Sequence, residues 1–216
     1  MDDYHKVSIV FLLAGSIFYS LVHPILIMPF VGLSLFNVIF NRDPERNTPE
    51  GEVVVSPADG KIVEIKEIEK GEVFYGHALD ESYIRVGIFM SIFDVHVNRV
   101  PLSGFVEEIK HIKGRFSPLI FREPSENEKN LIWIRDGNGS VYCVVQIAGF
   151  LARRIKCWVR EGHYLKTGDR LGKITFGSRV DLILPKSDWK IKVSLREKVR
   201  AGETVLFERC RESEDN

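Results

Sequence analysis

Two long apolar runs open the chain, and a region of short alternating runs follows. Val7 to Val22 carries no charge, His23-Pro24 interrupts it, and Ile25 to Phe40 resumes. Each piece has 16 residues, roughly 24 Å as a helix against a hydrocarbon core of about 30 Å. Pro24 and Pro29 break the pattern near its middle. The pattern predicts an N-terminal hydrophobic α-helical hairpin over residues 1–40, dipping into one leaflet or spanning thinly. A core helix is the alternative, but a domain of this size has little room to bury so long an uncharged stretch. A cleaved signal peptide fits less well, since the N-terminal residues mix Asp2 and Asp3 with His5 and Lys6 and no small-x-small site follows. Arg42 and Arg46 favour the cytoplasmic face of a cell membrane for both ends of such a hairpin.

Residues 41–51 are polar and rich in proline and read as a linker. From residue 52 to 216 the periods are those of strands. Val53-Val-Val55 precedes the turn Ser56-Pro-Ala-Asp-Gly60, and Lys61 to Ile68 alternates polar with apolar. Tyr83 to Met90, Phe105 to Ile112, Leu131 to Ile134 and Val141 to Ile147 are further strands, the last two joined by a hairpin turn at Asp136-Gly-Asn-Gly139. Ser117 to Asn130 reads as a long loop, and Ala148 to Val159 fits a helix or a strand equally. Two stretches share one grammar: Val159 to Gly172 and Val193 to Leu206 each place a Gly-acid pair shortly before a leucine. Turns of that kind belong to biotinyl and lipoyl barrels, so the fold expected is mainly β, a compact barrel-sandwich-like domain. No lysine is placed as in the modified hairpins of those carriers.

The net charge is zero, with 30 basic and 30 acidic residues, but the basic residues are unevenly spread. Leu151 to Arg200 holds 14 Lys and Arg against 5 Asp and Glu, a half suited to an anionic surface or simply to solvent. The cations are not interleaved with aromatics that look exposed from their pattern, so no nucleic-acid partner is expected. Cys143, Cys157 and Cys210 give neither a zinc spacing nor a disulfide framework, and no metal is expected.

Three positions carry candidate chemistry. Gly177-Ser178 lies between the runs Ile174–Phe176 and Val180–Leu184. One reading is a hairpin turn. The other is self-cleavage: Ser178 Oγ attacks the carbonyl of Gly177, which lacks a Cβ and leaves that carbonyl open. The resulting ester eliminates, and hydrolysis of the dehydroalanine leaves a pyruvoyl group in place of Ser178. Such a carbonyl forms a Schiff base with an amine and serves as an electron sink. His96 stands in the strand-like run Val95-His-Val97 with Asp94 and Asn98 as its same-face neighbours, a setting suited to acid–base work. Asp59 sits in the Ser-Pro-Ala-Asp-Gly turn, where a turn aspartate and a catalytic one are both open.

Four motifs occur in order: Ser56-Pro-Ala-Asp-Gly60, Asp94-Val-His-Val-Asn-Arg-Val-Pro101, Gln146-Ile-Ala-Gly149 and Gly177-Ser178. With the hydrophobic leader and Arg42-Asp43-Pro44 ahead of them, they make the chain resemble a phosphatidylserine decarboxylase proenzyme of the short, archaeal-type branch. The resemblance implies cleavage between Gly177 and Ser178. The products would be a β chain of residues 1–177 and an α chain of residues 178–216, held as a heterodimer, with the pyruvoyl cofactor derived from Ser178. It implies decarboxylation of a serine phospholipid, phosphatidylserine or archaetidylserine, at a membrane. It also implies a relay in which Asp59 orients His96 and His96 takes the proton of Ser178. Longer members carry a second histidine where this chain has Arg99, and the usual Leu-Gly-Ser-Thr is here Phe-Gly-Ser-Arg. The lipid phosphate needs a cation, for which Arg99, Arg115 and Arg179 are the candidates. The other readings are a membrane-tethered scaffold and a pyruvoyl decarboxylase of a soluble amino acid.

Overall fold

The computed structural model describes residues 3–21, 27–75, 77–114, 126–149, 154–175 and 178–210. The chain divides into two compact units, Met1–Pro44 and Glu45–Asn216.

The first unit is a pair of helices, α1 (Asp3–Leu21) and α2 (Met28–Phe40). They meet through small and polar residues. The Ser8 hydroxyl donates to Asn37 Oδ1 at 3.0 Å, and the Ser34 hydroxyl donates to the Ser8 carbonyl at 3.2 Å. Gly15 faces the Phe30 side chain. The large apolar side chains point outward instead: Val10, Leu13, Ile17, Met28 and Leu35 are all exposed. Small residues inside and large aliphatics outside is the pattern of helices whose solvent is lipid. Among the described residues no helix is long and apolar enough to cross a membrane.

The second unit is mainly β, as the alternating runs led us to expect. In chain order its strands are β1 (Val53–Val55), β2 (Gly60–Ile68), β3 (Val73–Phe74), β4 (His77–Ala78) and β5 (Tyr83–Met90). Then come β6 (Val97–Arg99), β7 (Gly104–Ile112), β8 (Lys129–Asp136), β9 (Val141–Ala148), β10 (Ile155–Cys157), β11 (Tyr164–Leu165) and β12 (Arg170–Ile174). The last group is β13 (Ser178–Pro185), β14 (Trp189–Ile191), β15 (Lys198–Val199) and β16 (Val205–Arg209).

These strands form two copies of one motif, the second inserted into the first. The eight-stranded sheet runs β11-β7-β8-β9-β13-β5-β2-β15, and reading outward from its centre pairs β9 with β13, β8 with β5, β7 with β2 and β11 with β15. The two flanking sheets match in the same way, β10-β12-β6 against β14-β16-β1. The likeness extends to detail. Both β2 and β7 are bulged at their third step, between Ile62 and Glu64 and between Val106 and Glu108. Gly202 donates to the Ser56 carbonyl at 2.8 Å, and Gly168 donates to the Val100 carbonyl at 2.8 Å. Both glycines hold positive φ, 73° and 87°, which a side chain resists. They are the Gly-acid turns that the two similar stretches shared. One copy is therefore residues 53–90 with 178–209, and the other is residues 97–174.

The four central strands, β8, β9, β13 and β5, are buried on both faces almost throughout. This is why they read as continuous apolar runs rather than alternating ones. One face packs into the main core around Ile62, Val86, Ile88, Val144, Leu182 and Phe207. The other holds a smaller cluster around Trp133, Leu131 and Ile183, against which Phe74 and Tyr75 of the β3–β4 hairpin pack. In the stretch that fitted helix or strand, Ala148 ends β9 and Ile155–Cys157 form β10, while residues 150–153 lie outside the described residues. Of the expected loop Ser117 to Asn130, residues 117–125 lie outside the described residues, and β8 already begins at Lys129.

Candidate active site

The site forms where the inserted copy leaves and rejoins the first. In the inserted copy, β8 and β9 are joined by a tight turn, and Asp136 N–H donates to the Ser140 carbonyl at 2.9 Å across it. In the outer copy the equivalent strands are β5 and β13, and Met90 pairs with Ser178. There the turn has been opened, and the whole of residues 97–174 stands between the two strands. Ser178 thus occupies the place of Ser140, but does not follow a turn that joins neighbouring strands. β12 pairs with β10 and β6, whereas β13 pairs with β5 and β9, so the strands on either side of Gly177-Ser178 belong to different sheets. Gly177 itself, like Phe176, lies outside the described residues.

Ser178 is fully buried at the head of β13. Its hydroxyl donates to Met90 Sδ at 3.5 Å, and Asn98 Nδ2 donates to the same sulfur at 3.7 Å. A thioether is a weak acceptor, so the hydroxyl is held loosely. Behind it runs a line of buried amides. Gln146 Nε2 donates to Asn98 Oδ1 at 2.8 Å, and Asn130 Nδ2 donates to Gln146 Oε1 at 3.3 Å. Buried amides in an apolar sheet are placed for their hydrogen bonds, and this line ends beside Ser178. It offers polar groups to a carbonyl formed there, so the residues present fit a pyruvoyl group made from Ser178.

His96 is also fully buried and lies two residues before Asn98, on the same side of the extended segment. Its backbone carbonyl accepts from the N–H of Ile174 at 3.3 Å, which ties it to the strand leading to Ser178. His96 Nδ1 lies 2.9 Å from the Asp94 carbonyl. A carbonyl only accepts, so Nδ1 carries the proton and Nε2 holds the lone pair.

Asp59 is placed differently. Its carboxylate accepts from Arg46 at 2.9 Å and from the N–H of Ala201 at 2.8 Å. The second bond has a counterpart in the inserted copy, where Ser103 Oγ accepts from the N–H of Thr167 at 2.9 Å. Asp59 thus fills a turn-holding position common to both copies, and the ion pair with Arg46 is what sets it apart. The His96 carbonyl is bonded to the strand that precedes Ser178, and the Asp59 carboxylate is held by Arg46 and Ala201.

Two of the three candidate phosphate ligands are committed elsewhere. Arg99 is buried and its guanidinium donates to the Gly168 carbonyl at 3.0 Å. Arg179 is buried on the face of β13 opposite to Ser178. It contacts Asp181 at 2.5 Å and also Glu64, which in turn meets Arg85. Its guanidinium lies flat on Gly87, where any Cβ would collide with it at 2.4 Å. Burial raises the Asp181 carboxyl above its ordinary value despite Arg179 and Arg85. Burial also acts to raise the Glu64 carboxyl, but the hydrogen bonds and charges of Arg85 and Arg179 outweigh it and hold it low. Arg115 lies outside the described residues. Among the described residues no group of three or more His, Cys, Asp or Glu is arranged to hold a metal.

Residues 33–207 match the family model for phosphatidylserine decarboxylase. The chain belongs to the phosphatidylserine decarboxylase family. It is 47% identical over 175 residues to a phosphatidylserine decarboxylase proenzyme of Syntrophus aciditrophicus, covering 80% of this chain and 79% of that one. It is 44% identical over 190 residues to a protein of Methanothermobacter thermautotrophicus named as an archaetidylserine decarboxylase proenzyme, covering 82% and 84%. A phosphatidylserine decarboxylase proenzyme of Burkholderia mallei is 38% identical over 204 residues, 92% of this chain. Of the motif residues of this carboxy-lyase family, Ser178 and Asn98 share Met90 Sδ, Gln146 donates to Asn98, and His96 lies two residues before Asn98. Met90 and Arg46 carried no motif. Met90 closes an apolar run and looks like core, and Arg46 looks like a linker charge.

Proposed function

We propose that the chain cuts itself between Gly177 and Ser178 and then decarboxylates the serine head group of a phospholipid. The family membership carries the reaction class. The observation that carries the site is a buried serine heading a central strand at a chain crossing, where its structural counterpart is an ordinary turn. His96 Nε2 takes the proton of Ser178, with its tautomer fixed by the Asp94 carbonyl. Ser178 Oγ then bonds to the Gly177 carbonyl carbon as the C–N bond between them breaks. Elimination frees residues 1–177 with a carboxylate end, and water releases ammonia from the new end at residue 178. The pyruvoyl group so formed supplies an electron sink for loss of carbon dioxide from a serine amine bound to it. Asn98 and Gln146 hold the carbonyl region, and His96 returns a proton to the product. Asp59 keeps the Ser56–Gly60 turn and Arg46 in place beside the site. Of the three cations named from sequence, Arg115 is left for the lipid phosphate.

The helical hairpin holds the enzyme at the cytoplasmic face of the membrane, where the acyl chains of the substrate stay in lipid. The chemistry reads the serine head group, which ester-linked and ether-linked lipids share. A denaturing gel and intact mass test the reading. The expected result is two fragments, the smaller one lighter by one ammonia than a serine-initiated peptide, with carbon dioxide released from serine phospholipid. Ser178→Ala gives one band and no release. A single uncut chain that turns over serine phospholipid overturns the reading, and an uncut, inert wild-type chain supports a scaffold.

A further inference from the structure

A lipid decarboxylase faces a problem of reach. Its reacting groups are buried, and its substrate's carboxylate lies at the surface of a bilayer. Two surface features sit where they would close that gap.

The first is the turn between β5 and β6. Phe93 is 72% exposed, the most exposed large apolar side chain among the described residues, and Ile92 beside it is also exposed. The turn is stiff. Asp94 Oδ2 accepts from the Ser91 N–H at 2.8 Å and from the Ser91 hydroxyl at 2.7 Å, and Asp94 N–H donates to the Ser91 carbonyl at 3.0 Å. The one acid of the turn is thereby folded back, and the apolar pair is left at the tip. Met90, which pairs with Ser178, ends immediately before this turn, and His96 follows shortly after it.

The second feature is the run through β10, an edge strand. Arg154, Lys156, Trp158 and Arg160 are exposed, while Ile155, Cys157 and Val159 between them turn inward. One side of the strand therefore presents three cations and a tryptophan. The Arg154 carbonyl accepts from the N–H of Thr175, three residues before Ser178, at 3.4 Å. The order β10-β12-β6 sets this run two strands, about 10 Å, from β6.

We propose that the Ile92-Phe93 tip and the Arg154–Arg160 run dock the catalytic unit on an anionic bilayer. This rests on the reading of the substrate as a membrane lipid. Phe93 enters the acyl boundary, Trp158 sits at the head-group level and the cations meet lipid phosphates. A few apolar side chains are far less than a stable protein interface, which buries about 800 Å² per partner. The docked tip would bring the crossing that holds Ser178 and His96 to the head-group layer, independently of the helical hairpin.

The test uses the full-length, self-processed enzyme. Phe93→Ser is compared on phosphatidylserine in phosphatidylglycerol vesicles and on short-chain phosphatidylserine dispersed in solution. The ratio of the first rate to the second is expected to fall about tenfold, the effect of one phenylalanine losing its apolar surroundings. Arg154→Glu with Lys156→Glu should lower the same ratio and make it insensitive to salt. Val73→Ser, an exposed residue of the β3–β4 hairpin, should leave it unchanged. A second readout needs no turnover. A polarity-sensitive fluorophore on Phe93→Cys in a Cys210→Ser background should shift to the blue on phosphatidylglycerol vesicles, relative to the labelled background alone. An unmoved fluorophore, an equal loss on both substrates, or a shift driven by protein concentration without vesicles would each overturn the proposal. The fluorophore decides it even if no lipid is decarboxylated.

Discussion

Replacing Arg179 by methionine separates a structural cation from a substrate ligand. The guanidinium is buried between Asp181 and Glu64, and the floor beneath it is Gly87. Methionine has similar reach and no charge, so the change leaves Asp181, which is 2% exposed, without its hydrogen-bonded cation and with the charges of Arg85 and Lys129 to offset it. Breaking a buried ion cluster by removing one member costs about 3–5 kcal/mol. In a chain of this size 1 kcal/mol moves the melting temperature by about 2–4 °C, so a fall of roughly 6–20 °C is expected. The comparison is best made in a Ser178→Ala background, where one uncut chain unfolds. Adding Asp181→Leu should restore much of the loss, because an apolar replacement of a buried cluster is often neutral. In the processed enzyme, below the lowered melting temperature, Arg179→Met should keep its KM for lipid. An unchanged melting temperature together with a KM raised tenfold or more would show that Arg179 reads the phosphate, and the assignment from geometry would fail.

His96→Ala should slow self-cleavage by at least about a hundredfold, the usual contribution of a general base, as read by band intensities over time after synthesis. Asp59→Asn and Arg46→Gln should each slow cleavage, and the double variant should be no slower than the worse single one, since both act on one ion pair. A large effect of Asp59→Asn beside a silent Arg46→Gln would instead favour a direct relay. Lys129 is fully buried and donates to the Tyr75 hydroxyl at 2.9 Å; burial pulls its ammonium down from 10.5 to about 8. Between those values the unfolded chain holds a proton that the folded chain has released. Stability of the Ser178→Ala protein should therefore rise from pH 8 to about 9, by up to about 1.4 kcal/mol per pH unit. Above pH 9 the Cys143 thiol, raised well above 9.0 by burial, acts in the opposite sense, and above pH 10 Tyr142 and Tyr83 join it, both raised chiefly by burial, Tyr83 from 10.0 to about 12. Lys129→Met should flatten the rise between pH 8 and 9, as measured by denaturant midpoints.

The β class and the helix pair were legible because their signals are local: period two in Lys61–Ile68, and uncharged runs before and after Pro24. The duplication was legible only in part. The Gly168 and Gly202 turns gave it away, since a left-handed turn demands glycine in both copies. The match of Ser56-Pro-Ala-Asp-Gly-Lys-Ile to Val100-Pro-Leu-Ser-Gly-Phe-Val stood in the sequence as well. It goes unread because one copy interrupts the other, so no simple repeat spacing appears. Arg179 misled for a related reason. Adjacent to the reactive serine in sequence, it is on the other face of the sheet, as the two-residue period of a strand requires. Whether Gly177-Ser178 is a hairpin turn or something else depends on which strands pair, and pairing is set by residues far away.

The nested arrangement also explains how the protein could tolerate a break beside Ser178. An opened hairpin turn is a place where two strand ends meet without sharing a connection, so a cut there removes no pairing between neighbours. On the carboxyl side of the cut, β13 stays clamped between β5 and β9 along its length, and β16 stays between β1 and β14. Val180, Leu182, Ile183, Leu184, Leu206 and Phe207 from that side are essentially fully buried. At about 1.5–3 kcal/mol for each, these six alone resist separation of the fragments by roughly 10 kcal/mol or more. The new chain end is therefore created inside a sheet that does not need it to be joined. On the proposed chemistry, a carbonyl made there would stay beside Met90 and Asn98, because strand pairing, not the lost peptide bond, holds residue 178 in place.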